Sequence, residues 1–378
     1  MDQSNKLNMF TPVDDEVFSC PNAGIEEVGA QKWHKIAMDL AADGALDEAM
    51  DAFESGLQLE PENMILLRSK AAVLSRFGKK EEAYQVYLTA LSYYPDDTVF
   101  ANGAGFALME SGRAEASLSY FDKSIAQNPA FPNPWLGKGI AYGELGNFEE
   151  AIAAYDKAIA LRSDYKEAHF GKAVALGALG EYAEAVDAFD KALEHDSKNA
   201  DVWYYKAVAL DSSGDFDNAV AAYRKAIDIR PEFDDAWNNL GILLNAIGRF
   251  NEALECFVQA SEIDGEQADV WFNRGYTHAV LEQYQEAVSS FKEAIEIEPT
   301  FIPAYIEAAF IFVQTGAPDE ALALYDQVIA ISPSAEAYFG KGVAYQMSGD
   351  NEKAAQSFEK AFELDPKYKS LFAEQESN

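Results

Sequence analysis

Two glycine–lysine–glycine segments, Gly137-Lys138-Gly139 and Gly340-Lys341-Gly342, are the residues that most resemble a phosphate-binding loop. Such a loop binds phosphate because its glycines lie between a strand and the start of a helix, where backbone N–H groups point at the ligand. No strand-like pattern precedes either segment, and both lie within helical patterns of apolar residues. We therefore predict that neither binds a nucleotide, and the same reasoning excludes Gly103-Ala104-Gly105.

Residues that hold a metal ion or act as a nucleophile are few and scattered. A metal site needs ligand side chains at short, regular spacing, and a nucleophile needs a base within reach. No pair of the four histidines has such a spacing: His34, His169, His195 and His278. The acidic clusters also lack the ligand pattern of a calcium loop. We predict no catalytic residues, no metal and no cofactor, and hence a protein that is not an enzyme.

The charge of the chain is strongly one-sided. Its 378 residues include 64 Asp and Glu against 29 Lys and Arg, a formal net charge of −35 at pH 7. Such a surface repels both the phosphate backbone of nucleic acids and anionic membranes. The 49% of apolar residues nevertheless indicates a folded chain. We predict a partner that is neither nucleic acid nor membrane.

The two cysteines, Cys20 and Cys256, form no disulfide framework and predict a reducing compartment. Cys256 lies beside Phe257, and we expect it to be a small buried apolar residue. The first residues lack the apolar stretch of a signal peptide, and the most apolar segment, residues 302–313, is too short to span a bilayer. The predicted location is cytoplasmic.

Self-similarity at a spacing of 34 residues organises most of the sequence. Several residue types recur at this spacing: Pro61, Pro95 and Pro129; Trp203, Trp237 and Trp271; Gly146, Gly180, Gly214 and Gly248. Counting from residue 30, periods begin at residues 30, 64, 98, 132, 166, 200, 234, 268 and 302, and a tenth begins one residue early, at 335. A period of this length is typical of a repeat array rather than of separate domains.

Each period reads as two helices. In the sixth, apolar residues recur at three- and four-residue spacing on two faces: Trp203, Ala207 and Leu210, then Phe216, Ala219, Tyr223 and Ala226. Gly214 separates the two faces and supplies the left-handed residue that ends a helix. Pro231 then blocks continuation of the second helix.

These residues resemble the tetratricopeptide repeat, whose pattern runs Trp, Leu-Gly, Tyr, and later Ala, an aromatic residue, Ala and Pro. The seventh period matches it well: Trp237, Leu240-Gly241, Leu244, Gly248, Phe250, Ala253, Phe257 and Ala260, with Gly265 in place of the final Pro. The resemblance implies an all-α fold, a right-handed superhelical solenoid of helix-turn-helix repeats. The first helix of each repeat is then expected to line a concave groove.

This reading divides the chain into three parts. Residues 1–29 form an N-terminal leader or cap, residues 30–368 an array of ten tetratricopeptide repeats, and residues 369–378 a C-terminal cap or tail, where Phe372 takes the aromatic position of an eleventh unit. Two repeats depart from the pattern in ways that predict local structure. Glu282 replaces the glycine that ends a first helix, and Pro318 is expected in the first turn of a second helix.

The resemblance places the fifth and ninth residues of each repeat in the groove. The ninth place carries no charged residue: Met38, Ala72, Phe106, Ile140, Val174, Val208, Ile242, Tyr276, Phe310 and Val343. The fifth place carries no carboxylate. On so acidic a chain, these absences predict an apolar groove that binds a partner, although packing between neighbouring first helices explains the same pattern.

Two polar features flank this groove. Asn238, Asn239, Asn245 and Asn273 are amides that can each donate to and accept from a peptide backbone, although Asn is also common as surface filler. The second place is acidic in four consecutive repeats: Glu167, Asp201, Asp235 and Asp269. We interpret these carboxylates as an acidic rim that favours basic residues, while the helix dipole alone also explains them.

The sequence therefore predicts a non-catalytic adaptor or scaffold for protein–protein interaction, which binds a peptide or a helix of a partner in its groove. The partner is expected to be an apolar or aromatic segment flanked by basic residues. The predicted anchors are Phe170, Tyr204, Tyr205, Phe272 and Tyr276, with Asn238, Asn239, Asn245 and Asn273 holding the backbone. Two alternatives stay open: self-association into a structural assembly, and a regulatory or targeting subunit of a separate enzyme.

Overall fold

The computed structural model describes residues 29–370, and within that range every regular element is an α-helix. Twenty helices follow one another in antiparallel pairs, and a further helical stretch at residues 367–370 ends the described range; this confirms the all-α class and the solenoid of helix pairs. Of the predicted leader, only Gly29 belongs to the described residues. Phe372 lies outside them. The described residues form two compact units, which divide between Ser213 and Gly214.

The first unit contains eleven helices: α1 (Ala30–Ala42), α2 (Leu46–Leu59), α3 (Met64–Arg76), α4 (Lys80–Tyr93), α5 (Thr98–Glu110), α6 (Ala114–Gln127), α7 (Asn133–Glu144), α8 (Phe148–Leu161), α9 (Lys166–Ala178), α10 (Tyr182–His195) and α11 (Ala200–Ser213). The second unit contains nine of the paired helices: α12 (Phe216–Ile229), α13 (Asp234–Ala246), α14 (Phe250–Ile263), α15 (Ala268–Val280), α16 (Tyr284–Ile297), α17 (Ile302–Gln314), α18 (Pro318–Ile331), α19 (Ala335–Ser348) and α20 (Asn351–Leu364). Odd-numbered helices are the first helices of the repeats, and nine of the ten begin at the residue where the 34-residue period starts.

One aromatic residue per repeat, at the twenty-fourth place of the period, joins each second helix to its neighbours. Phe121 and Tyr155 show the geometry: a Cβ on Gly137 would lie 2.4 Å from the Phe121 ring, and a Cβ on Gly139 would lie 2.5 Å from the Tyr155 ring. Such a distance is shorter than any side-chain contact, so only glycine allows the helix and the ring to approach this closely. The same place is aromatic in all ten repeats: Phe53, Tyr87, Phe121, Tyr155, Phe189, Tyr223, Phe257, Phe291, Tyr325 and Phe358.

This packing explains the glycine–lysine–glycine segments. Gly340 and Gly342 face the Tyr325 and Phe358 rings, where an added Cβ would lie 2.3 and 2.6 Å away. Both segments lie inside helices, α7 and α19, with no strand before them in the described part of the chain. The glycines therefore serve helix packing, in agreement with the prediction that they form no phosphate loop.

The lysine of those segments belongs to an ion-pair pattern that also repeats. A lysine at the seventh place of a first helix binds a carboxylate on the second helix of the preceding repeat, with Lys138 Nζ 2.6 Å from Asp122 Oδ1 and Lys172 Nζ 2.6 Å from Asp156 Oδ1. The other pairs of this kind are Lys70–Glu54, Lys206–Asp190 and Lys341–Asp326. Because each carboxylate is largely exposed, each pair contributes at most about 1 kcal/mol.

Further features agree with the sequence. Pro318 is the first residue of α18, where its missing N–H costs nothing. Cys256 is buried, and burial raises the pKa of its thiol to about 12. Among residues 29–370, no helix is long and apolar enough to cross a membrane.

The fifteenth place of every repeat has a positive φ, and only one repeat lacks glycine there. Nine repeats have glycine, with φ between 72° and 84°, while Glu282 has φ 59°. Because a left-handed backbone costs a non-glycine residue roughly 1–2 kcal/mol, the eighth repeat is strained at this turn. We expect Glu282→Gly to stabilise the chain by about 0.5–1 kcal/mol after the extra entropy of glycine is counted.

Urea unfolding monitored by circular dichroism measures this change as a higher midpoint. The matched control is Gly316→Glu, which places the same side chain at the same turn of the next repeat and should lower the midpoint. A lower midpoint for Glu282→Gly would mean that the Glu282 side chain makes contacts that outweigh its backbone strain.

Candidate functional site

The predicted site residues fall into both compact units. Phe170, Tyr204 and Tyr205 lie on α9 and α11 in the first unit, together with Glu167 and Asp201. The remaining predicted residues lie on α13 and α15 in the second unit: Asp235, Asn238, Asn239, Asn245, Asp269, Phe272, Asn273 and Tyr276. The two groups are therefore described separately.

Two of the predicted aromatic anchors in the first unit are buried. The exposed fractions of Phe170 and Tyr204 are 6% and 7%, which leaves little surface for a partner. The Phe170 ring lies 5.9 Å from Phe189 at a tilted angle and 5.6 Å from Tyr205 edge-on, geometries typical of core aromatic pairs. The role of these residues as groove anchors stays a prediction: Phe170 and Tyr204 are buried, Phe170 lines a cavity together with Tyr205, and of the three only Tyr205 is partly exposed.

The reason lies in how neighbouring first helices pack. The fifth residue of one repeat contacts the sixth residue of the next, 35 residues later. Phe170 packs on Tyr205 in this way, His34 Nε2 lies 2.8 Å from Ser69 Oγ, and Asn238 binds Asn273. The fifth place therefore joins repeats to one another, which accounts for its lack of carboxylates.

The amides of the second unit show the same relation. Asn273 Nδ2 donates to Oδ1 of the buried Asn238 at 3.3 Å, and Asn245 Nδ2 donates to Thr277 Oγ1 at 2.8 Å. Both bonds join α13 to α15. The prediction that Asn238 holds a partner backbone is wrong because this residue is 7% exposed and bound within the protein. Asn239 and Asn273 are partly exposed.

The ninth place behaves differently, because three consecutive first helices of the second unit expose a bulky apolar side chain there. Ile242 on α13 is 45% exposed, Tyr276 on α15 45%, and Phe310 on α17 50%. We call these three residues the apolar row. In the first unit the same place is buried at Phe106 and Ile140. Only Tyr276 was among the predicted anchors, although all three residues were visible in the uncharged ninth place.

Carboxylates lie on the same face of these helices as the apolar row. Asp235 and Asp269 precede Ile242 and Tyr276 by seven residues, and Glu307 precedes Phe310 by three, spacings that share a helix face. Burial raises the pKa of Asp235, and the negative charges of Asp234 and Asp269 raise it further. Burial and the charge of Glu336 likewise raise the pKa of Glu307. Negative charge on this face is thus crowded.

Phe272 has an intermediate position. It is partly exposed, and its ring lies 5.6 Å from Phe291 and 5.5 Å from Phe301, so most of its contacts are within the core. Glu167 and Asp201 of the first unit are partly exposed at the starts of α9 and α11. No group of three or more histidine, cysteine or carboxylate side chains suited to a metal ion occurs among the described residues.

The fold and this site define a helical repeat protein whose first helices carry an exposed apolar surface. Family models described as tetratricopeptide repeat match residues 103–166, 136–200 and 170–232, residues 212–271, and residues 268–301 and 335–368. Together these matches cover more than half of the chain. The chain belongs to the tetratricopeptide repeat family.

Solved structures show the same fold. The C-terminal part of a tetratricopeptide repeat protein from Cytophaga hutchinsonii is 19% identical with a TM-score of 0.55, over 60% of this chain and 94% of that one. A tetratricopeptide repeat protein from Parabacteroides merdae is 20% identical with a TM-score of 0.51, over 66% of this chain and 98% of that one.

YrrB, which is described as a protein of this family with an unusual peptide-binding site, is 29% identical with a TM-score of 0.44, over 49% of this chain and 95% of that one. A comparison with curated protein sequences returned no match. The family is one of generally non-catalytic scaffolds for protein–protein interaction, which supports the predicted class of function.

The bond between Asn238 and Asn273 has a measurable consequence for stability. Removing either amide leaves the other without its partner, so we expect Asn238→Ala and Asn273→Ala each to lower the free energy of unfolding by about 1 kcal/mol. Because the two residues share one bond, the double variant should lose less than the sum of the single losses by about 0.5–1 kcal/mol. Urea unfolding of the four proteins measures this coupling, and fully additive losses would show that the bond contributes nothing.

Proposed function

We propose that the protein is a non-enzymatic scaffold whose second unit binds a segment of a partner protein across the apolar row. The segment carries large apolar or aromatic side chains with lysine or arginine beside them. The observation that carries the proposal is the exposure of Ile242, Tyr276 and Phe310 at one place of three consecutive repeats.

Exposure at this place is not a requirement of the fold. Tetratricopeptide packing needs small residues beside the central ring and a contact between the fifth place and the next repeat, but an exposed ninth residue contributes little to either contact. Three bulky side chains at 45–50% exposure recur at one place of three consecutive repeats, which differs from apolar residues exposed singly. Exposed apolar surfaces of this kind usually mark protein-binding sites, where aromatic residues provide most of the energy.

The carboxylates beside the row favour a basic partner. The negative charges of Asp235 and Asp269 repel each other, and so do those of Glu307 and Glu336, because these carboxylates lie on a partly desolvated surface. A lysine or arginine side chain placed between them relieves this repulsion. The chain as a whole adds a long-range attraction for positive charge, since it carries −35.

Asn239 and Asn273 are proposed to hold the backbone of the bound segment. Both are partly exposed, and they lie one repeat apart, three residues before Ile242 and Tyr276. Asn273 uses its amide nitrogen to bind Asn238, which leaves its carbonyl oxygen to accept from a partner N–H.

Self-association through this face is less favourable than binding a basic partner. A second copy would bring the same carboxylates, Asp235, Asp269 and Glu307, toward an equally acidic surface. The alternative of a regulatory or targeting subunit uses the same partner-binding face and differs only in what the partner does.

The test is selection of peptides from a random displayed library on the full chain. We expect the selected peptides to combine aromatic or large aliphatic residues with net positive charge. Their affinity should fall at least about tenfold for the variant Tyr276→Ala with Phe310→Ala, because each truncation removes apolar area worth more than 1 kcal/mol. Calorimetry of the purified peptides measures this loss.

The matched control is Ile263→Ala with Leu364→Ala. These side chains are 39% and 49% exposed. They are the last residues of the second helices α14 and α20 and therefore do not belong to the apolar row. The control should bind with unchanged affinity, and both variants should keep the melting temperature of the parent because the truncated side chains are exposed. Equal binding by the row variant and the parent would contradict the proposed site.

The salt dependence of binding separates the apolar from the acidic contribution. Apolar contacts are not screened by salt, so we expect an affinity loss of only about threefold between about 0.1 M and about 0.5 M NaCl. Calorimetric titration of one selected peptide at the two concentrations measures this loss. A loss of a hundredfold would show that the carboxylates dominate and that the apolar row is not the anchor.

A further inference from the structure

Histidine occupies two places of the fifth repeat that are apolar in the repeats around it. His169 takes the fourth place, on α9, and His195 takes the thirtieth, as the last residue of α10. Their ring centres lie 6.2 Å apart, with the ring planes at 28°. The fold thus brings together two imidazole rings that lie far apart in the sequence. The same two places of neighbouring repeats hold Trp with Leu or Ile: Trp135 and Leu161, Trp203 and Ile229, Trp237 and Ile263, and Trp271 and Ile297.

A hydrogen bond to the backbone determines which nitrogen of His169 is available. Its Nε2 lies 3.0 Å from the carbonyl oxygen of Ser163. Because a carbonyl only accepts, Nε2 carries the proton of the neutral ring and Nδ1 carries the lone pair. The tryptophan at this place of the next repeat makes the equivalent bond, with Trp203 Nε1 3.1 Å from the carbonyl oxygen of Ser197. His169 therefore keeps the hydrogen bond of the repeat and adds a free nitrogen, an arrangement typical of metal-binding histidines.

His195 supplies a second nitrogen beside the first. Its side chain is exposed at the end of α10, where the ring can turn toward His169, and the C-terminus of a helix favours positive charge. Two imidazoles bound to one ion, each at about 2.0–2.1 Å, have their ring centres roughly 4.5–6.4 Å apart. The observed separation of 6.2 Å lies within this range, so rotation of the His195 ring is sufficient to bring both nitrogens to one ion.

The charges around the two rings favour a cation. The pKa of the exposed Glu194 carboxyl is lowered by its hydrogen bond with Lys191 and also by the charges of the two histidines, which places this carboxylate beside both rings. The nearby ammonium groups are neutralised, with Lys191 Nζ 2.7 Å from Glu194 Oε1 and Lys166 Nζ 3.0 Å from Asp196 Oδ2. The net charge of −35 further concentrates cations at the surface.

We infer that His169 and His195 bind one divalent transition-metal ion, whose coordination is completed by water. Imidazole suits Ni²⁺, Cu²⁺ and Zn²⁺, whereas Mg²⁺ and Ca²⁺ take oxygen ligands. Two protein ligands are fewer than in a closed structural site, so the ion stays open to solvent and exchangeable. It links the start of α9 to the end of α10. This site lies in the first unit and depends on no residue of the apolar row.

The test is calorimetric titration of NiCl₂ into the full chain without a histidine tag, in a buffer with excess MgCl₂ that occupies exposed carboxylates. We expect the tightest site to hold one Ni²⁺ per chain. The variant His169→Trp with His195→Ile has the residues of the sixth repeat at these places and should keep the melting temperature of the parent without metal. It should bind Ni²⁺ at least about tenfold more weakly, because both nitrogens are lost. Saturating Ni²⁺ should raise the melting temperature of the parent and not that of the variant.

Single substitutions separate a shared ion from binding at one ring. His169→Trp and His195→Ile should each weaken Ni²⁺ at least about tenfold, because each removes one of two ligands. The matched control is His278→Leu, since His278 is buried in the second unit against Gln283 and the same place is leucine in the two preceding repeats. This control should change the affinity for Ni²⁺ less than about twofold, because it lies far from the pair.

Four results would overturn the inference: no saturable Ni²⁺ binding, equal binding by the parent and the double variant, weakening by only one of the single substitutions, or displacement of Ni²⁺ by Mg²⁺. Equal binding would show that groups other than the two histidines hold the ion. Weakening by one substitution alone would show an adventitious ion on a single imidazole.

Discussion

The structure depends on one contact, repeated along the chain, between an aromatic ring on each second helix and the small residues of the neighbouring first helices. Tyr155 shows both sides of it, because its ring lies against Gly139 of its own repeat and Gly171 of the next, each with room for no Cβ. The eighth place of every repeat is accordingly Ala or Gly. Close approach at this point sets the spacing of the first helices, and all other contacts must fit that spacing.

With this spacing fixed, the other places of the first helix differ in the neighbouring residues that they contact. The fifth place meets the sixth place of the next repeat, and it joins repeats through rings at Phe170 and Tyr205 or through amides at Asn238 and Asn273. The ninth place reaches outward, and its exposure depends on the size of the side chain and of its neighbours. In the second unit the fold therefore leaves the ninth place of three first helices open to variation, which is the property that a binding scaffold needs.

The sequence was sufficient to predict the helix pairs and their boundaries, because periodicity and glycine positions are local signals. The left-handed turn at Glu282 and the first-turn position of Pro318 followed from the same logic. The sequence was not sufficient to separate inward from outward places, since Phe170 and Tyr276 are both aromatic residues at places expected to face the groove. Their difference comes from the 35-residue relation between fifth and sixth places, which depends on the distance between helices and is visible only once the packing is known.

For a related reason, the sequence alone does not distinguish one kind of helical glycine from another. A glycine that packs against a ring and a glycine that borders empty space are the same letter, and Gly137 and Gly143 lie six residues apart in one helix. The two have opposite consequences: the first holds the fold together, and the second weakens the helix without a packing gain. The negative charge of the chain bears on the proposed site in a similar way, because carboxylates stand beside the apolar row and favour a segment that combines basic with apolar residues.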